Sequence, residues 1–173
     1  MTKLLPLALV LLAAPAAAQQ GLWPVQAAGE TCTMAQAFMD PEFGNTALRV
    51  GYDAASQKVT LTATSAVPDE FLGSDPGSDK VEWTIVFLDN GDEAYDDGWG
   101  RREFDLTREA DAYRLSTAFA GEKNVRQILA DLAASRSVGF MRGGKLVTAY
   151  DLAGAGPSIS RLRDCATRVV AAN

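Results

Sequence analysis

The chain contains no histidine, and this absence excludes several common chemistries. Serine and cysteine hydrolases usually depend on a histidine base, and zinc and copper sites outside the cytoplasm usually depend on histidine ligands. Cysteine is also scarce, since Cys32 and Cys165 are too few for a cysteine-rich metal site. We therefore expect a protein that binds no cofactor and is not an enzyme of these classes.

The chain has fewer basic than acidic residues. It contains 16 lysines and arginines and 22 aspartates and glutamates, so its formal net charge is −6. A protein with this balance is not drawn to nucleic acid or to anionic lipid by its overall field. Long apolar runs are missing after the N-terminal residues. We therefore expect neither a nucleic-acid partner nor a membrane span in the mature chain.

The N-terminal residues carry the three-part pattern of a cleavable signal peptide. Lys3 gives a positive start, Leu4 to Leu12 form a short apolar run, and Ala16–Ala18 supplies the small residues that a signal peptidase reads. The apolar run is shorter than the roughly 20 residues that span a bilayer. We predict a signal peptide over residues 1–18 and a single exported domain over residues 19–173, in the periplasm or secreted.

The two cysteines lie near opposite ends of this predicted domain. An even number of cysteines in an exported protein favours a disulfide. The alternative is a reactive thiol, but the chain has no Cys-x-x-Cys motif and no histidine to activate a thiolate. We therefore predict a bond between Cys32 and Cys165 that ties the first element to the last helix.

Hydrophobic periodicity predicts strands in the first part of the chain and helices in the last third. Apolar and polar residues alternate over 48–52, 59–64, 81–88, 104–106 and 113–119, which is typical of strands. Residues 137–142 and 145–152 form a predicted hairpin around Gly143-Gly144.

Two helices complete the predicted secondary structure. The first follows Asn124 as its predicted N-cap, and the second has Pro157 in its first turn and Cys165 on its apolar stripe. The expected fold class is α+β, an antiparallel β-sheet or curled sandwich with two helices packed on it, the second at the C-terminus.

The acidic segment 89–98 is the most distinctive run outside these elements. Four side chains in it carry the oxygens that calcium prefers: Asp89, Asp92, Asp96 and Asp97. Their spacing does not match an EF-hand, and acidic turn residues usually face water. We favour a solvated hairpin loop, keep the four aspartates as candidates without assigning a metal, and consider Tyr95 and Trp99 as a partner-binding tip.

Paired carboxylates and a short glycine motif offer two further interpretations. Glu70, Glu82 and Glu103 are available for glycosidase-type acid and base catalysis, although carboxylates on strand faces are usually solvating groups. Gly154-Ala155-Gly156 lacks the third glycine and the βαβ context of a dinucleotide-binding fingerprint. A tight strand-to-helix turn is the favoured interpretation of this motif.

The assembled pattern resembles a divergent member of the invasion-associated locus B family of periplasmic proteins. The resemblance begins at Trp23 and the Cys-Thr-Met-Ala-Gln run at Cys32, and continues through the alternating strands of 48–64. It is best in the tail, with a helix at 124–135, Val138-Gly139-Phe140 and then Tyr150-Asp151-Leu152-Ala153-Gly154. That tail is also similar to other small secreted proteobacterial proteins of unknown role.

The resemblance implies a β-rich periplasmic or secreted domain without known catalytic residues. The family typically has further cysteines, including a pair in the middle of the domain, whereas Asp96–Arg102 holds none here. The disulfide scheme must therefore differ, and the association of the family with host-cell entry is not carried over.

We expect a non-enzymatic periplasmic or secreted protein-interaction domain with an envelope or extracellular protein partner. The first alternative is a small-ligand or calcium-binding periplasmic protein that uses the acidic loop 89–98. The second alternative is a carboxylate-dependent hydrolase acting on envelope glycans.

Mass spectrometry of the intact exported protein checks the export and disulfide predictions together. We expect a chain that starts at Gln19 and weighs two hydrogens less than the reduced form, because one disulfide removes two thiol protons. Reduction should restore the two hydrogens. A chain that still carries residues 1–18, or that has the reduced mass before treatment, would contradict the corresponding prediction.

Overall fold

A computed structural model of the chain describes residues 21–40, 44–66, 79–89, 93–95, 99–109 and 112–172. Within these residues the helices are α1 (Glu122–Ala134) and α2 (Ala155–Ala172). The strands are β1 (Val25–Ala28), β2 (Thr31–Asp40), β3 (Gly44–Asp53), β4 (Lys58–Ser65), β5 (Lys80–Asp89), β6 (Glu93–Tyr95), β7 (Arg101–Arg108), β8 (Tyr113–Ala120), β9 (Ser137–Arg142) and β10 (Lys145–Asp151). The predicted α+β class, with an antiparallel sheet and a C-terminal second helix, is confirmed.

All the strands of the described residues belong to one antiparallel sheet, which has ten strands in this part of the chain. Nine of them follow the order β1-β2-β3-β4-β8-β7-β5-β9-β10, and β6 lies off this path beside β5. The first half of β5 pairs with β7 and its last three residues pair with β6, while β9 occupies its other edge. Within the described residues β1 and β10 do not pair with each other, so the sheet is open.

Strand formation follows the alternation of apolar and polar residues, which sends every second side chain to the same face. In β4, Val59, Leu61 and Ala63 are buried between partly exposed threonines. In β5, Val81, Trp83, Ile85 and Phe87 all point to the core. The inner face of the sheet is therefore a continuous apolar surface, and the outer face is mainly polar.

The two helices cover part of this inner face and contact each other. Both expose their polar sides and bury an apolar stripe. The buried residues of α1 are Val125, Ile128, Leu129 and Leu132. Those of α2 are Ala155, Ser158, Ile159, Leu162, Cys165 and Ala166, so the predicted position of Cys165 on the apolar stripe is confirmed.

The start of α1 differs from the sequence prediction. The helix begins at Glu122 after Gly121, and no side chain caps it. Asn124 lies inside the first turn, where its side-chain amide donates to the Ala120 carbonyl oxygen at 3.0 Å. The predicted N-cap at Asn124 is wrong because Gly121, with φ of 87°, already turns the chain out of β8 three residues before the expected cap position.

An aromatic cluster shows that the sheet curls over on itself. The Tyr150 ring in β10 packs edge-on against Phe140 in β9 and against Phe38 in β2. Its hydroxyl donates to the Thr64 carbonyl oxygen in β4 at 3.2 Å. Because β10 and β2 are far apart in the strand order, these contacts require the β9–β10 end of the sheet to fold towards β2–β4.

The two ends of the described chain meet beside α2. Cys32 in β2 and Cys165 in α2 form a disulfide with a Cα–Cα distance of 6.0 Å across a sequence separation of 133 residues. Closing a loop of this length stabilises the fold by about 5 kcal/mol in the chain-entropy model. The Trp23 amide also donates to Ser158 Oγ at 2.9 Å, and its indole N–H donates to the Ala153 carbonyl oxygen at 3.1 Å.

Gly154 permits this approach of the N-terminal segment to α2. A Cβ atom at Gly154 would lie 1.2 Å from the Gly21 carbonyl oxygen, and its φ of +78° lies in the left-handed region that favours glycine. Gly144 has nearly the same φ of +79°, but a Cβ there would meet no atom within 4 Å. Substitution of Gly144 therefore measures the free-energy cost of the left-handed backbone conformation alone, whereas substitution of Gly154 also includes the cost of steric overlap.

We expect Gly144→Ala to lower the free energy of unfolding by about 1–2 kcal/mol, because alanine is disfavoured in the left-handed backbone conformation of this residue. Gly154→Ala should lower it by about 1–3 kcal/mol more, because it also displaces the Gly21 segment. Urea unfolding of the oxidised proteins measures both values. Equal losses for the two variants would contradict the close packing of residue 21 on Gly154.

Candidate protein-binding groove

The acidic segment lies only partly within the described structure. Asp89 is the last residue of β5, and Tyr95 lies in β6 opposite Phe87. The side chains of both residues, and the whole of Asp92, Asp96 and Asp97, lie outside the described part. The expected single loop over 89–98 is corrected in one respect, because Glu93–Tyr95 form a strand that extends the sheet.

Metal binding by this segment stays a prediction. Elsewhere in the described residues no three acidic, cysteine or histidine side chains come together in a way that could hold a metal ion. The side chains of the four candidate aspartates lie outside the described part of the chain.

Trp99 is part of the core, which corrects its expected role in an exposed tip. Its side chain is 8% exposed, and its ring meets Phe119 edge-on with centroids 4.7 Å apart. The indole N–H donates to Asp131 Oδ2 in α1 at 2.8 Å. Trp99 therefore joins the start of β7 to the first helix, and this position leaves little of the ring for a partner.

Arg102 lies over the same two rings. Its guanidinium carbon is 4.3 Å from the Phe119 centroid and 5.8 Å from the Trp99 centroid. One terminal nitrogen donates to the Ala118 carbonyl oxygen at 3.2 Å, and burial lowers the pKa of Arg102. Attraction between the cation and the ring faces offsets part of the lost hydration, so this arginine is a structural residue.

Two of the three carboxylates of the hydrolase alternative lie on one exposed sheet face. Glu82 and Glu103 are opposite each other in β5 and β7, while Glu70 lies outside the described residues. Lys80 binds Glu103 at 2.6 Å and Asp105 at 3.0 Å, and these two partners raise the pKa of Lys80. Exposed pairs of this kind contribute little to stability.

A groove lies between β1 and α2 in the described part of the chain. Its volume is about 600 Å³. We call it the β1–α2 groove and define it by its lining residues: Val25, Gln26 and Ala27 from the strand, and Arg161, Asp164, Cys165, Arg168, Val169 and Ala172 from the helix. It exists because β1 ends the sheet, so that no described strand continues the inner face beneath the outer side of α2.

The β1–α2 groove has an apolar floor and a basic rim. Val25 and Val169 are half-buried, and Cys165 is buried against the core by its disulfide. Arg161 and Arg168 are seven residues apart, about two helical turns, and therefore lie on the same side of α2. The helical wall of the groove carries Asp164 as well as these two arginines.

The edge of β1 adds backbone groups to this groove. β1 and β2 are joined by the two-residue turn Gly29-Glu30, and Ala28 pairs with Thr31. A two-residue hairpin closes on a hydrogen-bonded pair, and bonded and unbonded pairs alternate along antiparallel strands. Val25 and Ala27 therefore direct their N–H and C=O groups away from β2, and no described strand pairs with that edge.

A second, smaller groove of about 290 Å³ lies on the outer face of β2–β4. It forms around Gly51, where a missing side chain leaves a gap between neighbouring threonines. Its acid, Asp53, accepts hydrogen bonds from the Ser56 hydroxyl and from the amides of Ser56 and Ala55. The Ser56 hydroxyl contributes most to lowering the pKa of Asp53, so this carboxylate already serves the adjoining turn.

The sequence analysis does not identify the β1–α2 groove. The groove is missed because β1 is not predicted. Its four residues, Val-Gln-Ala-Ala, show no clear alternation of apolar and polar side chains. The seven-residue spacing of Arg161 and Arg168 was the available hint, because it places both charges on one side of a helix.

No family model, curated protein or solved structure matches the chain. The resemblance to the invasion-associated locus B family therefore stays a prediction.

The contact between Trp99 and Asp131 can be measured by a double-mutant cycle. We expect Trp99→Phe and Asp131→Ala to show a coupling energy of about 1–2 kcal/mol in urea unfolding. Either substitution alone removes the hydrogen bond to the charged acceptor, so the second substitution cannot remove it again. Trp99→Phe combined with Glu122→Ala, an exposed acid of the same helix, should show no coupling. Purely additive effects of Trp99→Phe and Asp131→Ala would contradict the contact.

Proposed function

We propose that the mature chain is an exported, non-enzymatic protein-interaction domain of the periplasm or the extracellular space, and that the β1–α2 groove is its binding surface. The observation that carries this proposal is an open sheet edge beside an apolar groove with a basic rim. Such a surface offers backbone hydrogen bonds, apolar contact area and charge in one place, which is how domains bind extended chains.

Two observations support export. The first is the signal-like sequence of residues 1–18. The second is the disulfide between Cys32 and Cys165, because structural disulfides persist mainly in oxidising compartments. Neither helix of the described chain is long and apolar enough to cross a membrane.

The described chemistry favours binding over catalysis. Trp99 and Arg102 are used in core packing, and the exposed acids Glu103 and Asp105 are paired with Lys80. The calcium-binding and glycan-hydrolase alternatives depend on acids that lie largely outside the described residues, and both stay predictions of the sequence.

Site-specific photo-cross-linking in the native envelope tests the proposal. A benzoylphenylalanine at Gln26, which lines the groove, should yield one dominant adduct that contains a second protein. The same residue at Arg163, an exposed position on the opposite side of α2, should not yield it. Equal adducts from both positions would indicate a surface without a defined site.

Two other results would overturn the proposed function. One is the absence of any protein adduct from Gln26. The other is a reproducible hydrolytic activity of the purified protein that is lost when a single carboxylate, such as Glu103, is replaced by its amide.

A further inference from the structure

We propose that the β1–α2 groove gives low-molecular-weight thiols access to the Cys32–Cys165 disulfide, and that reduction of this bond in the folded protein controls the groove. The control of binding rests on the proposed function, whereas the exchange chemistry concerns this chain alone. Three features point to this chemistry: the sulfur that lines the groove, the small side chain beside it on β1, and the half of α2 that the bond holds.

The two cysteines differ in their access to the groove. Cys165 lines the groove and is 7% exposed, whereas Cys32 has no exposed surface. The rate of thiol–disulfide exchange depends on which sulfur is attacked and on access to that sulfur. A thiol in the groove therefore attacks Sγ of Cys165, and Sγ of Cys32 is the sulfur that leaves.

A small side chain on β1 lies next to the disulfide. Ala27 is opposite Cys32 in the β1–β2 ladder, so the two side chains lie on the same face of the sheet. The Cβ atoms of directly opposite residues are about 5 Å apart. Ala27 is exposed and lines the groove. Because its side chain is a single methyl group, it leaves Cys165 within reach of the groove, whereas a larger side chain would close this approach.

The exchange proceeds in two steps that consume two thiols. The first thiolate forms a bond to Sγ of Cys165 while the Cys32–Cys165 bond breaks, and the electron pair leaves with Sγ of Cys32, which takes up a proton. A second thiolate attacks the sulfur of the first thiol in this mixed disulfide and releases Cys165 as a thiolate, which is then protonated. The two external thiols are thereby oxidised to their disulfide, and the protein gains two thiol groups.

Reduction acts on the half of α2 that forms the groove. The two hydrogen bonds from Trp23 hold the helix at its start, through Ala153 and Ser158. The groove-lining residues of α2 begin at Arg161, on the half that the disulfide ties to β2. The buried apolar stripe keeps its contacts when the bond opens. The helix therefore stays packed on the sheet, but its groove-forming half is no longer fixed against β1 and β2.

The rate at which dithiothreitol reduces the folded, oxidised mature protein tests the access route. Ala27→Phe places a ring beside the disulfide on the groove side. Its matched control, Ala28→Phe, adds the same ring at the next exposed residue, on the opposite face of β1. We expect about tenfold slower reduction in Ala27→Phe and a change of less than about twofold in Ala28→Phe. The thiols formed are alkylated and counted by mass spectrometry.

The wild-type protein gives a second readout that needs no substitution. After treatment with glutathione and quenching with acid, peptide mapping should place the mixed disulfide on Cys165, in about tenfold excess over Cys32. Melting temperatures show whether Ala27→Phe folds, and the mapping decides the route if it does not. Equal reduction rates for the folded Ala27→Phe and Ala28→Phe variants would overturn the access route. A mixed disulfide that is absent, or that lies on Cys32, would overturn it as well.

The photo-cross-link from Gln26 measures the effect on binding. Cys32→Ser combined with Cys165→Ser represents the reduced state without added reductant. We expect the yield of its protein adduct to be about tenfold lower than that of the oxidised wild type, because the helical wall is no longer fixed. Amide hydrogen exchange separates this loosening from unfolding, since exchange should become faster in residues 161–172 and stay unchanged in β4.

The outcomes separate this inference from the proposed function. An undiminished adduct from the double-serine variant would overturn control of the groove while the interaction function stands. Loss of protection in β4 would also overturn it, because reduction would then unfold the domain. Absence of the Gln26 adduct from the oxidised wild type would contradict the proposed function, and control of binding with it, but would leave the exchange chemistry of the purified protein intact.

Discussion

The disulfide between Cys32 and Cys165 is the constraint on which the arrangement of the candidate site depends. It joins the second strand to the last helix and so fixes α2 against the β1–β2 end of the sheet. The Trp23 hydrogen bonds and the close approach of Gly21 to Gly154 hold the segment before β1 against the same helix. Because these contacts fix the positions of both β1 and α2, the space between them stays open as a groove and is not closed by a shift of the helix.

The apolar inner face is covered differently at the two ends of the sheet, and the curl of the sheet explains this difference. Tyr150 directs β10 towards β2 and β4 through ring contacts with Phe38 and a hydrogen bond to Thr64. The apolar face at that end is therefore covered by the sheet itself. At the other end α2 covers only part of the inner face, and Val25 remains half-buried. The β1–α2 groove lies where the helix leaves part of the inner face uncovered.

Much of this architecture can be predicted from the sequence where a single physical signal dominates. Regular alternation predicts β4 and β5, and helical spacing predicts the buried stripe of α2, including Cys165. The signal fails in β2, where Gln36 takes an inward position and alanines take outward ones, so that alternation is lost. It also fails for Trp99, because burial of this residue depends on Asp131, which a different element supplies from 32 residues further along the chain. The groove was beyond prediction for the same reason, since it requires the strand order and the position of α2.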